Sequence, residues 1–156
     1  MTDISKDNSG VKVPPPLFYA LPLVVGLLLN FRFPVKFLPN TIARVLGGIS
    51  VIASIMLVVS AFREMRLAKT SPNPTQPVTS LVTGGPFRFT RNPIYVSFTL
   101  FYGGIALLLN ALWVLLLLPL ALLLIQFRVI NREEHYLEQK FGKEYLSYKK
   151  EVRRWI

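Results

Sequence analysis

Residues 92–127 read NPIYVSFTLFYGGIALLLNALWVLLLLPLALLLIQF, and none of these 36 residues is charged. A single helix of that length would measure about 54 Å, whereas the hydrocarbon core of a bilayer is about 30 Å thick. The stretch therefore predicts two short spans that double back near Asn110. Doubling back returns the chain to the side it left, so the segment at Arg91 is expected to meet the acidic pair Glu133-Glu134.

The composition is that of an integral membrane protein. Of the 156 residues, 52% are apolar and only 17% are charged, and the mean hydropathy is +0.45. The absence of cysteine excludes disulfide frameworks, thiolate metal sites and cysteine nucleophiles. We expect a single membrane domain over residues 14–156, preceded by a polar, disordered tail over residues 1–13.

Four apolar runs, at about residues 16–31, 42–62, 94–109 and 111–127, define the expected fold. They predict an all-α integral membrane bundle of about four transmembrane helices. The helices form two pairs separated by a long connection, and the second pair is a tight hairpin. Short helices are expected after the hairpin, because Gly142 is a helix-stop residue and apolar positions recur beyond it.

The distribution of lysine and arginine predicts the orientation of the bundle. With four spans, 15 of the 18 basic residues fall on the side that holds both termini and the middle connection. The positive-inside rule places that side in the cytoplasm, so we expect a multi-pass protein with both termini and its site there. The net charge of +10 then reflects topology and contact with anionic membrane lipids, and we do not expect nucleic acid as a partner.

Two features of the first half bear on packing and on the site. The connection over residues 70–86 contains four prolines and a Gly-Gly pair, which excludes a helix and is typical of a functional loop. The second apolar run carries a set of small residues that predicts close helix contact: Gly47, Gly48, Ser50, Ala53 and Ser54.

Glu134 is the least expected residue after the hairpin. At helical spacing it falls on an otherwise apolar stripe, whose members are Phe127, Ile130, Leu137 and Phe141. A buried carboxylate requires a cation or several hydrogen-bond donors. The candidates are Arg91, Arg88 and an ammonium or sulfonium group of a ligand. The alternative, which applies more to Glu133, is a solvated acidic pair at a helix start.

The remaining residue types narrow the chemistry further. His135 is the one histidine, and on a helix it points about 100° away from Glu134, which predicts a surface position rather than a general base. The sequence has no glycine-rich dinucleotide fingerprint, no phosphate-binding loop, no metal-ligand cluster and no serine–histidine–aspartate set.

The segment at Arg91 predicts an anion site at a helix start. Pro93 suits the first turn of the third span, and Asn92 is placed to cap it. The helix N-terminus then offers a positive dipole end that Arg91 reinforces, which favours a carboxylate or phosphate. The alternative is an ordinary capped helix with an arginine and a tyrosine at the membrane interface.

Several of these segments, in this order, resemble the isoprenylcysteine carboxyl methyltransferase family, whose relatives include membrane phospholipid methyltransferases. The resemblance covers about residues 78–156 and is carried by four motifs around the apolar hairpin: Gly85-Pro86-Phe87-Arg88, Arg91-Asn92-Pro93-Ile94-Tyr95, Glu133-Glu134 and Phe141-Gly142-Lys143-Glu144-Tyr145-Leu146-Ser147-Tyr148. The family implies an integral membrane enzyme that uses S-adenosylmethionine. Its signature has histidine where this chain has Asn92, which removes a titratable group.

The resemblance implies roles for individual residues. S-adenosylmethionine carries a carboxylate, an ammonium and a sulfonium, which suit an arginine, a glutamate and aromatic rings respectively. The residues expected to bind this cofactor are Phe87, Arg91, Asn92, Pro93, Tyr95, Glu133, Glu134 and Tyr145. Arg88 and Arg153 are the catalytic candidates, since either could neutralise and orient a carboxylate acceptor. That acceptor is expected to be lipophilic or lipidated and to enter from the bilayer, either a prenylcysteine carboxylate or a phospholipid amine.

Two other functions remain open from the sequence. A membrane lipid reductase would bind NADPH, whose phosphates call for more clustered arginines than Arg88 and Arg91 supply. A non-catalytic membrane protein would assemble with partners through the small residues of the second span, but it leaves Glu134 and the order of the motifs unexplained.

Overall fold

The computed structural model describes residues 7–156, and within that range all regular structure is helical. Six α-helices follow one another in the described part: α1 Pro16–Arg32, α2 Asn40–Leu67, α3 Pro93–Leu108, α4 Leu112–Ile125, α5 Asn131–Phe141 and α6 Lys143–Glu151. A 3₁₀ turn, Gly85–Arg88, precedes α3, and a π-helical turn, Gln126–Ile130, joins α4 to α5. The predicted all-α bundle is confirmed.

The four predicted spans correspond to α1 through α4. Two helical stretches are long and apolar enough to cross a bilayer, namely α2 with 28 residues and the continuous stretch from Leu112 to Phe141 with 30 residues. The shorter α1 and α3 have 17 and 16 residues. Much of the surface of α2 is exposed and apolar, as expected of a face in contact with lipid. Its exposed large apolar side chains are Ile42, Val45, Leu46, Ile49, Ile52, Ile55, Met56, Val59 and Leu67.

Helix α2 packs closely on α3 because glycines meet where the helices cross. A methyl group on Gly47 would lie 2.6 Å from the backbone nitrogen of Leu108, and one on Gly104 would lie 2.7 Å from a side-chain carbon of Val51. The hydroxyl of Ser50 donates a 2.7 Å hydrogen bond to the carbonyl oxygen of Leu100. The predicted small-residue contact is therefore confirmed for part of the set. Gly48 and Ala53 do not take part, since space is open around Gly48 and Ala53 is exposed.

The chain reverses direction at Asn110, as the length of the uncharged stretch requires. Asn110 has a φ of 49°, the left-handed conformation that asparagine tolerates better than most residues. Its side-chain oxygen accepts hydrogen bonds from the amides of Phe37 and Leu38, at 3.1 and 3.2 Å. Its side-chain nitrogen donates to the carbonyl oxygen of Leu38 and to the Asn40 side chain, at 2.7 and 3.1 Å. One buried side chain thus joins the hairpin turn to the connection between α1 and α2.

The π-helical turn changes the stripe that the sequence predicts. Ile130 and Glu134 are buried, as predicted, but Phe127 is 63% exposed. The prediction for Phe127 is wrong because it assumes a continuous α-helix. Hydrogen bonds from residue i to i+5 insert an extra residue into the turn and rotate the positions before it away from the stripe.

Beyond the π turn the chain leaves the apolar part of the bundle. The stretch from Leu112 to Phe141 would measure about 45 Å, so its charged end, α5, extends past a hydrocarbon core of about 30 Å. Gly142, with a φ of +51°, ends α5 as predicted and lets α6 turn back toward the bundle. Tyr145 and Tyr148 of α6 are buried by this turn.

Residues 7–13 belong to the predicted tail, and the structure gives them specific contacts. Asp7 forms an ion pair with Lys140 at 2.7 Å, and Val11 is buried in the core. The side chain of Arg132 donates a 3.0 Å hydrogen bond to the carbonyl oxygen of Gly10. Residues 1–6 of the predicted tail lie outside the described residues.

Candidate active site

A cavity lies at the end of the bundle where α3 begins. Its walls come from α3, α5, α6, the end of α2 and the connection between α2 and α3. All eight residues that the sequence predicts as cofactor-binding line it: Phe87, Arg91, Asn92, Pro93, Tyr95, Glu133, Glu134 and Tyr145.

The two catalytic candidates do not line the cavity. The side chains of Arg88 and Arg153 are exposed. Arg88 ends the 3₁₀ turn whose buried residues, Pro86 and Phe87, face the protein. Arg153 contributes its backbone instead, because its carbonyl oxygen accepts a 2.9 Å hydrogen bond from the amide of Arg91. A carboxylate held in the cavity would not touch either guanidinium in this structure.

Glu134 is held by two arginines, of which the sequence analysis found one. Its carboxylate is almost fully buried, with 5% of the residue exposed. The Nη2 atom of Arg91 lies 3.2 Å from Oε1, and the Nε and Nη2 atoms of Arg154 donate to Oε1 and Oε2 at 2.9 and 2.6 Å. The prediction that Glu134 is buried beside a cation is confirmed. Each of its oxygens already accepts from an arginine of this chain.

Arg154 is the site residue that sequence reasoning missed. It sits among several basic residues after α6, and no local pattern distinguishes it from its neighbour Arg153. The hydrogen bonds to Glu134 raise the pKa of the Arg154 guanidinium. The sequence contained one indirect signal for a second arginine. A buried carboxylate has two oxygens, and these need more hydrogen-bond donors than a single arginine contact supplies.

Glu133 has a different environment from its neighbour. The hydroxyl of Tyr95 donates a 2.8 Å hydrogen bond to its Oε1 atom. None of the ion pairs formed within residues 7–156 includes Glu133. Burial raises the pKa of this carboxyl to about 7, and the charge of Glu134 acts in the same direction, whereas the Tyr95 hydrogen bond opposes the shift. Glu133 is thus a carboxylate that lines a cavity without a cation from the described chain.

Arg91 retains unused hydrogen-bonding capacity. Its side chain is only 8% exposed, and its Nε and Nη1 atoms have no hydrogen-bond partner among the described residues. A buried guanidinium with two unpaired nitrogens is costly unless something accepts from them. These two nitrogens lie on different edges of the guanidinium plane, and each can donate a charge-assisted hydrogen bond to an anionic oxygen.

The start of α3 is stabilised differently from the prediction. Pro93 is the first helical residue and Asn92 occupies the cap position, as expected, but the Asn92 side chain makes no capping hydrogen bond. Its Nδ2 atom instead donates to the carbonyl oxygen of Arg154 at 2.9 Å, and its backbone amide donates to the hydroxyl of Thr90 at 3.1 Å. The prediction of a side-chain cap is wrong because the side-chain amide of Asn92 is directed to the segment after α6 and not to the first turn of α3.

Aromatic and apolar side chains form the rest of the cavity. Phe87, Tyr145 and Tyr148 are buried beside it, and the Tyr148 hydroxyl donates a 2.6 Å hydrogen bond to the carbonyl oxygen of Phe87. Apolar residues from the end of α2, the following connection, α3 and α5 complete the wall: Met65, Leu81, Val82, Ile94 and Leu137. The cavity therefore combines a charged end with an aromatic and aliphatic one.

Two further residues, one predicted and one not, lie at the edge of this region. His135 is exposed and contacts Gln139 at 2.9 Å, which confirms the predicted surface position. Ser9 lines the cavity, and its hydroxyl donates a 2.8 Å hydrogen bond to the carbonyl oxygen of Pro74 in the proline-rich connection. The sequence carried no signal that residues near the N-terminus reach the site.

Two comparisons with known proteins bear on the family of this chain. Residues 42–144 match the model of a family described as phospholipid methyltransferase. The chain is also similar to an uncharacterized protein from Haemophilus influenzae, with 44% identity over 63 residues, which is 40% of this chain and 89% of that protein. The matched family and the isoprenylcysteine carboxyl methyltransferases fall in the same superfamily of membrane methyltransferases, and the resemblance is confirmed at that level. The chain belongs to the phospholipid methyltransferase family.

Proposed function

We propose that this protein transfers the methyl group of S-adenosylmethionine to a lipophilic acceptor that enters from the bilayer. One observation carries the proposal: within residues 7–156, the cavity holds a carboxylate without a cation, Glu133, and a guanidinium with two unpaired nitrogens, Arg91. A ligand that carries an ammonium and a carboxylate on one carbon would satisfy both groups. The amino-acid end of S-adenosylmethionine has this character.

The rest of the cavity also suits this cofactor. Phe87, Tyr145 and Tyr148 offer aromatic rings for an adenine ring or a sulfonium, which both associate favourably with aromatic faces. Glu134 then serves to hold Arg91 rather than to bind the ligand, since its oxygens are already occupied. The ammonium is assigned to Glu133.

Methyl transfer to a carboxylate needs positioning and exclusion of water more than acid–base chemistry, whereas an amine acceptor must also release its ammonium proton to solvent. When bound, the cofactor supplies an electrophilic methyl group on sulfur. The contribution of this chain is to hold the ligand at its charged end and to surround it with buried aromatic and aliphatic side chains. The replacement of the family histidine by Asn92 is compatible with this chemistry, because Asn92 binds the backbone of Arg154 and no proton transfer is required of it.

The acceptor is proposed to reach the cavity between the end of α2 and the start of α3. Met65 and Ile94 line the cavity there, at the ends of two helices with apolar outer faces. A prenylcysteine carboxylate, as the motif resemblance implies, and a phospholipid amine, as the family match implies, both suit an apolar entry. The excess of basic residues on this side of the bundle supports a cytoplasmic position for the site.

The experiment that tests the proposal is a calorimetric titration of the detergent-solubilised, folded protein with S-adenosylhomocysteine, with NADPH in parallel. Micromolar binding of the former, with about tenfold or greater loss in Glu133→Gln, is the expected result. Binding of NADPH alone would replace the proposal with the lipid reductase. If neither ligand binds, the non-catalytic function is favoured.

A second assay identifies the acceptor. The protein is incubated with S-adenosylmethionine labelled on the methyl group and with two acceptors, vesicles that contain phosphatidylethanolamine and a detergent-dispersed S-farnesylcysteine derivative. Base-labile label on the farnesylated acceptor indicates a carboxyl methyl ester. Base-stable label in the phospholipid fraction indicates N-methylation.

A further inference from the structure

The segment that follows α6 is joined to the start of α3 by a series of hydrogen bonds. The carbonyl oxygen of Arg153 accepts from the amide of Arg91 at 2.9 Å. The carbonyl oxygen of Arg154 accepts from the Asn92 side chain at 2.9 Å and from the Thr90 hydroxyl at 3.1 Å. These contacts bring together residues that are about 60 positions apart in the sequence, and they place the Arg154 side chain beside the buried Glu134.

The segment is also anchored at its other end. The indole nitrogen of Trp155 donates a 3.0 Å hydrogen bond to the side-chain oxygen of Gln126, and the ring packs against the core. Arg154 therefore lies between two fixed points. Its side chain remains 35% exposed, so it reaches Glu134 from the outside of the cavity, whereas the Arg91 side chain is buried and reaches Glu134 from within.

We propose that Arg154 is a positioning residue of the cofactor site, which keeps the Nε and Nη1 atoms of Arg91 available to an anionic group of the ligand. This inference rests on the proposed function. Arg154 satisfies both oxygens of Glu134 in a two-pronged contact and leaves Arg91 with a single contact to it. Arg154 lies outside residues 42–144, the part of the chain that matches the family model.

The physical argument concerns what Glu134 does without Arg154. One of its oxygens then has no donor, and a buried carboxylate with an unsatisfied oxygen takes the nearest one. Arg91 already contacts Glu134, and two of its nitrogens have no partner among the described residues. Arg91 would turn to a two-pronged contact with Glu134 through Nη2 and one of these nitrogens, and it would no longer hold its free edge toward the ligand. The charge of the cluster would also become more negative by one unit, which disfavours a carboxylate.

The test compares two ligands on Arg154→Gln. S-adenosylhomocysteine carries the carboxylate and ammonium, whereas 5′-methylthioadenosine has the same adenosine and thioether but neither charged group. We expect the affinity for the first to fall about tenfold or more and the affinity for the second to stay within about twofold. Lys150→Gln is the matched control, because it removes one exposed positive charge from α6 without a contact to the site.

Arg154→Lys and a double variant separate positioning from a structural role. Lysine keeps the charge but has no planar pair of donors, so we expect an intermediate loss for S-adenosylhomocysteine. Arg154 acts through Glu134, so in a Glu134→Gln background the further loss from Arg154→Gln should be less than about threefold. Thermal unfolding followed by tryptophan fluorescence shows whether each variant is folded.

The outcomes distinguish this inference from the proposed function. If the folded wild-type protein does not bind S-adenosylhomocysteine, the proposed function fails and the role of Arg154 fails with it. If the wild-type protein binds and Arg154→Gln binds equally well, only the positioning role is overturned. Equal losses for the two ligands, or a loss for Arg154→Gln that is undiminished in the Glu134→Gln background, would also overturn it. Should Arg154→Gln not fold, the same comparison of ligands on Arg154→Lys decides between these outcomes.

Discussion

The hydroxyl of Tyr95 donates a 2.8 Å hydrogen bond to Glu133, and this contact joins the first turn of α3 to the first turn of α5 across the hairpin. It is the direct result of the doubling back that the uncharged stretch requires. The same contact supplies a donor to the carboxylate that no cation of the described chain neutralises. Because the hairpin brings Tyr95 to Glu133, the fold of the hairpin affects the ionisation of the Glu133 carboxyl.

Tyr95→Phe should weaken binding of S-adenosylhomocysteine at about neutral pH by roughly threefold to tenfold. The hydrogen bond from Tyr95 opposes the effect of burial on the Glu133 pKa, so its loss raises that pKa further and leaves less of the ionised form. Titration calorimetry at several pH values measures the shift. Tyr19→Phe is the control, since its hydroxyl contacts the Tyr95 carbonyl and Thr99 but not Glu133. An unchanged pH midpoint in Tyr95→Phe would contradict the prediction.

The affinity of the wild-type protein for S-adenosylhomocysteine should rise by roughly tenfold or more between about pH 5.5 and pH 7.5. The ligand's ammonium group favours the ionised carboxylate, and Glu133 with a pKa of about 7 is mostly protonated at the lower pH. Calorimetry in buffers of different ionisation enthalpy detects the released proton. The Glu133→Gln variant should show a flat profile over this range, and a sloping profile there would assign the titration to another group.

Glu133→Gln should stabilise the ligand-free protein at about pH 8 while it weakens ligand binding about tenfold or more. The folded-state pKa of Glu133 is raised above its ordinary value of 4.5, so the ionised carboxylate costs stability above pH 7. That cost disappears as the pH falls toward the ordinary value. Thermal unfolding should therefore show a higher Tm for the variant by a few degrees at about pH 8, and little difference at about pH 4.5. A lower Tm for the variant at the higher pH is the contrary result.

Arg91→Lys should reduce the affinity for S-adenosylhomocysteine about tenfold or more and leave 5′-methylthioadenosine within about twofold. The substitution keeps the positive charge near Glu134 but removes the planar set of nitrogens, two of which have no partner in the described structure. Arg63→Lys, at an exposed position near the end of α2, serves as the control. Retained affinity for S-adenosylhomocysteine would show that these nitrogens do not bind the ligand.

Asn110→Ala should lower the Tm by several degrees without a change in ligand affinity of the folded protein. The substitution removes the hydrogen bonds to the α1–α2 connection and places alanine at a positive φ. Asn110→Gly separates the two effects, because glycine keeps the φ and loses only the hydrogen bonds, so its Tm should lie between those of the wild type and Asn110→Ala. Both variants alter the end of the hairpin far from the cavity, and a large affinity loss would contradict that separation.

The sequence alone was sufficient to predict the main features of the bundle, because these features depend on the length of the apolar segments and on local periodicity. An uncharged stretch longer than a bilayer must turn, and Asn110 is the polar residue where it does. A carboxylate on an apolar stripe must be buried beside a cation, as Glu134 is, and a glycine after such a stripe ends the helix, as Gly142 does.

Only the tertiary structure decided which groups meet in the cavity. The π turn places Phe127 away from the buried stripe, and the Asn92 side chain binds the backbone of Arg154 and does not cap α3. The second partner of Glu134 is Arg154 and not Arg88. The sequence provides several interchangeable arginines near the same end of the bundle, and the choice among them depends on backbone pairing across about 60 residues. The length and hydropathy of a segment are properties of the local sequence, so the spans can be predicted from them. The partners of a buried charge depend on how distant segments pack, so the sequence alone does not predict them.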